Sequence, residues 1–394
     1  EVNKPAEVEA IEAFLLSQAE FRHNVITHHC EIRWTEEAGF LPLTDRDVNT
    51  LWGRMNKTVG RVYLTDIYNV IHSEFVPLFN PFQSYFDHLP SWDGVSDPIG
   101  DLADTVHVKS DQAEFRDYFR KWFVGILPAL LDDTVVNHEI LVLIGEQGLY
   151  KTTWFNFLLP PELRCYFYTK TNSDRLNKDD LFSLTEFALI CFEELDGMRP
   201  AELNQLKAMV TMPYVNERAA YGRNKERHPH IASFCGTGNN VQFLTDPTGN
   251  RRWLPFEVSQ IRDPHLHAIP YELVYSQAYA LWKSGFCHWF SQEEIRVLNT
   301  HNSRFEVPNL EEDLIRTHFR KPFEGETGIF VTAADILEQI SSCLRYPLSP
   351  NKIGRIMAGL EFESIRYKGK RGYVTVKKTG EDIDRERRSG ALGL

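Results

Sequence analysis

The chain has 394 residues, 42% hydrophobic and 25% charged, with a formal net charge of −12. That length exceeds one ordinary compact core and predicts two or three domains of globular composition. The acidic balance argues weakly against a chain coated with nucleic acid without excluding a local basic channel; with no apolar run of about 18 residues and no basic-then-apolar stretch at its start, neither a membrane span nor a secretory signal is expected.

In chain order, residues 5 to 75 are expected to be mostly helical. Ala6 to Phe21 carries Val8, Ile11, Phe14, Leu15 and Ala19 at helical spacing. Thr44 opens a second helix with a Thr-x-x-Asp start resembling a capping box, followed by Val48, Leu51 and Trp52 on one face. Asn80 to Pro98, rich in Pro, Gly, Asp and aromatics, reads as a structured connector, so residues 1–110 form a helical N-terminal domain and its connector. Phe115 to Leu131 is a further helix.

From Glu139 the pattern changes to short apolar runs separated by polar helices. The runs Ile140–Ile144, Ala188–Phe192, Ile231–Cys235 and Trp253–Val258 suit strands buried on both faces. Their alternation with helices predicts a parallel α/β sheet within a domain spanning 111–300. Tyr271 to Lys283 is an amphipathic helix. Residues 310–380 form another unit, with helices at Leu314–His318, Ala333–Ser342 and Asn351–Leu360 and a hairpin of Ser364–Lys368 and Gly372–Lys377, the outline of a winged helix. Its basic residues Arg366, Lys368, Lys370, Arg371, Lys377 and Lys378 suit phosphate contact, or else a solvated or protein-docking hairpin. Residues 381–394 read as a disordered tail. The six cysteines are scattered, with no CxxC pair, so a zinc site is not expected and a reduced, cytoplasmic setting is.

The chemistry starts at Gly145-Glu-Gln-Gly-Leu-Tyr-Lys-Thr-Thr153, which follows an apolar strand and precedes a helix. The spacing Gly145 to Lys151 is that of a phosphate-binding P-loop. Its backbone N–H groups, Gly145 and Gly148 among them, would cradle phosphates of ATP. Lys151 would reach the β- and γ-oxygens, Thr152 would ligate Mg²⁺, and Thr153 would complete the loop. Tyr150 stands where glycine is usual, and Gly148 is expected to supply the flexibility. The run Ala188–Phe192 ends in Glu193-Glu-Leu-Asp196, carboxylates at a strand tip where ligands bind in open α/β sheets. Glu193 is assigned to the metal side and Glu194 to the attacking water, with an exchange of roles or a part for Asp196 left open. Asn239, after the next strand, would contact the γ-phosphate. Arg251 and Arg252 would stabilise a transferring phosphoryl group across a subunit boundary. The segment Tyr214 to His230 interleaves Arg218, Tyr221, Arg223 and Lys225 with few acids, suiting single-stranded nucleic acid, or else a solvated loop.

These motifs together resemble the virulence-associated protein E family, whose ATPase core is similar to those of superfamily three and poxvirus-type primase-helicases. The carriers are Asn80-Pro-Phe82, Ser91-Trp-Asp-Gly94, Gly145–Thr153, Glu193–Asp196, Arg218 with Tyr221-Gly-Arg223, Gly236–Asn239 and Asp246-Pro-Thr-Gly-Asn-Arg-Arg-Trp253. The resemblance implies an AAA+-like ATPase of mobile elements or prophages, a ring-forming DNA helicase in replication acting on single-stranded or forked DNA. It implies the same roles for Lys151, Thr152, Glu193, Glu194, Asn239 and one of Arg251 and Arg252, and a winged-helix C-terminal extension. No primase-type carboxylate cluster is evident near the N-terminus, so priming is not expected of this chain as given, and whether a primase domain precedes it in a longer chain is left open. Two other readings compete: a regulatory P-loop switch acting on protein partners, and a small-molecule kinase, which would need an acceptor pocket and lid that nothing in the sequence suggests.

Overall fold

The computed structural model describes residues 7–171, 178–217, 226–245, 250–308, 310–323, 325–341 and 349–388. It divides into two compact units, Glu1–Glu306 and Val307–Leu394. None of the helices among the described residues is long and apolar enough to cross a membrane.

The centre of the first unit is a six-stranded sheet in the order Val106–Val108, Trp253–Ile261, Ile140–Ile144, Ser233–Gly238, Leu189–Phe192, Phe167–Lys170. The Val106–Val108 edge strand is antiparallel and the others are parallel. Every side chain of Ile140–Ile144 is buried. Leu141 and Leu143 pack with Phe119, Trp122 and Phe155 on one face. Ile140, Val142 and Ile144 pack with Leu203, Leu206 and Val210 on the other. That two-sided burial is why the strands read as unbroken apolar runs rather than alternating ones. The third run is shifted from the expected Ile231–Cys235 to Ser233–Gly238, because the glycines after Cys235 continue the ladder beside Val142 and Ile144.

The N-terminal residues are not the helical domain that their spacing predicts. Helix Val8–Gln18 gives way to a hairpin of Ala19–Asn24 and His29–Trp34, part of a four-stranded sheet over which helices Asp45–Thr58 and Leu64–Ile71 pack. Phe21 lies opposite Ile32 and both are buried, a period-two pattern only six residues long that the preceding helical spacing conceals. The capping box at Thr44 and Asp47 is present.

The second unit contains helices Leu310–His318, Ala333–Ser341 and Pro350–Gly359 and an antiparallel sheet built on Lys370–Lys377. The hairpin turn is Lys368-Gly369, starting one residue earlier and one residue shorter than the expected Gly369-Lys370-Arg371, with φ of 47° and 79°. Where a disordered tail is expected from residue 381, Gly380–Arg388 is a helix. Its start is a second Thr-x-x-Asp box: the Thr379 N–H donates to Asp382 at 3.0 Å and the Asp382 N–H to Thr379 Oγ1 at 3.2 Å.

Candidate nucleotide site

The carboxyl ends of three neighbouring strands, Ile140–Ile144, Ser233–Gly238 and Leu189–Phe192, meet at one edge of the sheet. The first continues into the Gly145 loop and helix Lys151–Phe157. Gly145 is needed there: a Cβ would stand 2.9 Å from the Val258 carbonyl oxygen of the neighbouring strand. Gly148 has φ 85°. Tyr150, the departure from the usual glycine, takes φ 59°, ψ 18°, the left-handed region. The loop keeps the backbone shape that glycine would give and accepts the steric cost of a Cβ there. The Tyr150 side chain is 42% exposed.

Lys151 is 8% exposed. Its Nζ donates to the carbonyl oxygens of Gly145 at 2.6 Å and Glu146 at 2.7 Å, and to Asn239 Oδ1 at 3.5 Å. Among the described residues no carboxylate lies within ion-pair distance of it. Burial lowers its pKa from the ordinary lysine value, with the more distant Asp196 opposing. Thr152 Oγ1 donates to Glu193 Oε1 at 2.7 Å, tying the loop to the acidic strand tip. Glu194 follows in the left-handed region, φ 56°, ψ 43°, which turns the chain sharply beneath the cleft. A cleft of about 360 Å³ is lined by Gly148, Lys151, Thr152, Thr153, Glu193, Glu194 and Asn239, with Tyr150 at its rim.

Asp196 is bonded to the next strand end rather than to the Thr152–Glu193 pair. Its carboxylate accepts from the N–H groups of Asn239 and Asn240, each at 3.1 Å, and from the Asn240 side chain at 2.6 Å. It thus fixes the loop that carries Asn239. Gly236 and Gly238 make room for this turn. A Cβ at Gly236 would overlap Leu195 Cδ1 and lie 3.2 Å from the Phe192 carbonyl, and one at Gly238 would lie 3.0 Å from Asp196 Oδ1. The sequence carried a usable sign of this, a Gly-x-Gly inside a strand, which marks close approach by another segment.

Arg251 and Arg252 are not at this cleft. They form a 3-10 turn before Trp253, which pairs with Ile140, so they lie at the opposite end of the strands from Gly145. The four-residue offset from Trp253 to Glu257, beside Ile144, amounts to about 13 Å. Asn302 donates to the Asn250 and Trp253 carbonyls at 2.8 and 3.0 Å, and Asn250 donates to Glu306 at 2.8 Å, so the turn is held from below. Partial burial, then Arg251, lower the Arg252 pKa, and Glu139 opposes them.

Arg218, Tyr221, Arg223 and Lys225 lie outside the described residues. The strands on either side, Tyr214–Glu217 and Glu226–Pro229, pair antiparallel, and the Arg227 guanidinium sits 3.4 Å from the Tyr214 ring centroid. His228 and His230, at the end of the same segment, are buried and do not belong to a basic surface. His230 Nδ1 is 2.6 Å from the Met212 carbonyl oxygen. Burial pushes its pKa down to about 4.

Among solved structures the chain is similar to the apo structure of the NrS-1 C terminal region (305-718), with 13% identity, a TM-score of 0.50, and coverage of 94% of this chain and 99% of that one. An A form apo structure of that region (305-718) gives 12% identity and 0.46 over the same shares, and another A form apo structure of it 11% and 0.48. At 13% identity the first of these likenesses is one of fold alone. No curated protein matches the chain. The family model described as the virulence-associated protein E-like domain matches residues 87–307, past Val258 and through helices Tyr271–Lys283 and Gln292–Asn302. With more than half of its length matched, the chain belongs to the virulence-associated protein E-like family.

Proposed function

We propose that this protein is an ATP-hydrolysing nucleic-acid motor, a ring-forming DNA helicase of mobile-element or prophage replication with an AAA+-like P-loop core. The carrying observation is Lys151, a buried ammonium held by the carbonyls of its own loop and lacking a carboxylate partner among the described residues. A buried charge without a counter-ion is costly, and a polyphosphate in the adjoining cleft would supply the missing anion. The donor set fits Mg²⁺ with ATP as well. Magnesium keeps water and phosphate ligands and needs only one or two protein oxygens, and Thr152 and Glu193 offer theirs side by side. When bound, it would neutralise charge on the β- and γ-oxygens.

In this reading the amides of Gly145–Lys151 position the phosphates. Glu194, at the strained turn, orients the attacking water, and Asn239 reports on the γ-phosphate. Arg251 and Arg252 sit too far along the strands to serve their own loop, which favours action on a neighbouring copy. Single-stranded or forked DNA is the substrate, with Arg218, Tyr221, Arg223 and Lys225 as contacts and the Val307–Leu394 unit as a winged-helix extension. The test is ATP turnover by the full chain with and without single-stranded DNA. Turnover is expected, stimulated by DNA, and reduced to background by Lys151→Ala with the fold retained. Normal turnover in that variant, or no uptake of ATP with magnesium by the parent, refutes the site. Turnover indifferent to DNA, with no DNA binding at low salt, refutes the motor and leaves a regulatory switch.

A further inference from the structure

The hairpin of the second unit carries more positive charge than its fold needs. From Ser364 to Gly380 there are six basic residues and no acidic one, in a chain of net charge −12. Arg366, Tyr367, Lys368, Lys370 and Arg371 are all exposed at its tip. The register sets Arg366 directly opposite Arg371, a like-charge pair that opposes strand pairing. Arg371 Nε donates to the Ser364 hydroxyl at 2.9 Å, and no carboxylate lies within ion-pair distance of either guanidinium among the described residues. The turn itself places Lys368 at φ 47°, where Asn or Asp would be easier. Two departures from strand chemistry thus keep cations at one tip.

The tip is also stiff. Gly372 lets the Phe330 ring lie across the strand, since a Cβ there would come within 2.5 Å of it. Tyr367, 52% exposed, packs on Phe330 with centroids 5.5 Å apart. At the base, the Tyr373 hydroxyl donates to the Gly354 carbonyl at 3.1 Å, pinning the ribbon to helix Pro350–Gly359.

We propose that this ribbon tip binds the phosphate backbone of duplex DNA. Successive side chains of a strand point to opposite faces. Arg366 and Arg371 therefore project from one face, and Lys370, opposite Tyr367, from the other. A ribbon docking flat would need cations on one face only. Cations on both suit insertion between two phosphate rows, and the major groove of B-form DNA admits a two-stranded ribbon. Apart from the tyrosine the tip offers only cations, without the Asn or Gln that reads base edges, so binding is independent of sequence. The proposal rests on the nucleic-acid reading above but names a different surface and a duplex.

The test uses the full chain, a blunt DNA duplex of about two helical turns, the RNA duplex of the same sequence, a single strand, and vesicles containing phosphatidylserine. The variant combines Arg366→Gln, Lys368→Gln, Lys370→Gln and Arg371→Gln, and a control retains charge with Arg366→Lys and Arg371→Lys. At about 0.1 M salt the neutral variant should bind the DNA duplex at least tenfold more weakly. Its slope of log affinity against log salt should be shallower by roughly 2 to 4, at about 0.9 for each phosphate no longer neutralised. Single-strand binding should persist, the charge-retaining control should bind as the parent does, and unfolding midpoints should agree. Equal duplex affinity and slope in the neutral variant overturns the proposal. So does a loss confined to vesicles or to the RNA duplex. If the parent binds the single strand but no duplex, the tip proposal fails alone. If it binds no nucleic acid, the motor reading fails with it.

Discussion

Gly236→Ala probes the packing that sets the candidate site. The added Cβ would overlap Leu195 Cδ1, lie 3.0 Å from Leu195 Cγ and lie 3.2 Å from the Phe192 carbonyl oxygen. Leu195 is 1% exposed and cannot swing into solvent. The strain must go into the turn that holds Glu194 and Asp196, or into separation of the strands. Forcing a methyl into a filled core costs about 1–3 kcal/mol, a sizeable part of an ordinary stability of about 5–15 kcal/mol. Trp122, Trp154 and Trp253 are at most 1% exposed, so their fluorescence during urea unfolding reports on this core. Displacing the turn by about 1 Å should also lower ATP turnover by as much as 10²-fold. Adding Leu195→Ala should recover part of the loss. That substitution alone is expected to cost about 2–5 kcal/mol, and the pair should fall short of additivity by about 0.5–3 kcal/mol. A Gly236→Ala protein with parental stability and turnover, or strict additivity with Leu195→Ala, would refute the claim that glycine is there to admit Leu195.

Three further outcomes are expected. Tyr150→Gly relieves a left-handed residue worth about 1–2 kcal/mol but frees the unfolded chain by about 0.4–1 kcal/mol; denaturation should show parental or slightly greater stability, and a clear loss would mean that the ring's packing outweighs the strain. Arg251→Ala or Arg252→Ala should abolish turnover in the assembled protein, and mixing with Lys151→Ala should restore some of it at shared interfaces; no restoration in mixed assemblies counts against action across a boundary. His230 is buried, and that burial outweighs the contact of its Nδ1 with the Met212 carbonyl, so the folded state resists a second ring proton. The unfolded chain takes that proton near the ordinary value of 6.5 and the folded chain only near about 4. Stability should therefore fall as pH drops through this window, by about 3 kcal/mol in all; a His230→Gln protein with the same acid sensitivity as the parent would show that other groups account for it.

What could be read from the sequence, and what could not, follows from how each feature is encoded. The central strands were legible because burial on both faces writes an unbroken apolar run, and Ile140–Ile144 and helix Tyr271–Lys283 stand at the expected bounds. The turn from strand Ile140–Ile144 into helix Lys151–Phe157 was legible because its signals are local, with the loop glycines and the helix start within nine positions. The N-terminal hairpin was not, because its half-buried alternation is short and follows a helix whose spacing absorbs Phe21. The helix at Gly380 is hidden by the charged composition that follows it, although its Thr379–Asp382 box has the same form as the one at Thr44. Net polarity outweighed a local signal there.

Asp196 shows a different kind of limit. Read alone, a third carboxylate beside Glu193 and Glu194 invites a part in the chemistry. Its function in the fold depends on Asn239 and Asn240, 43 and 44 positions away, whose N–H groups it accepts. The partner is visible only once two parallel strands are known to be neighbours. Yet the price of that approach is recorded locally, in the glycines at 236 and 238, where a side chain would collide with Leu195 and Asp196. The Glu-Glu-Leu-Asp turn and the Gly-Thr-Gly-Asn strand end are therefore one device written in two places. Its acidic half reaches the cleft through Glu193 and Glu194, its amide half through Asn239, and Asp196 holds the two together.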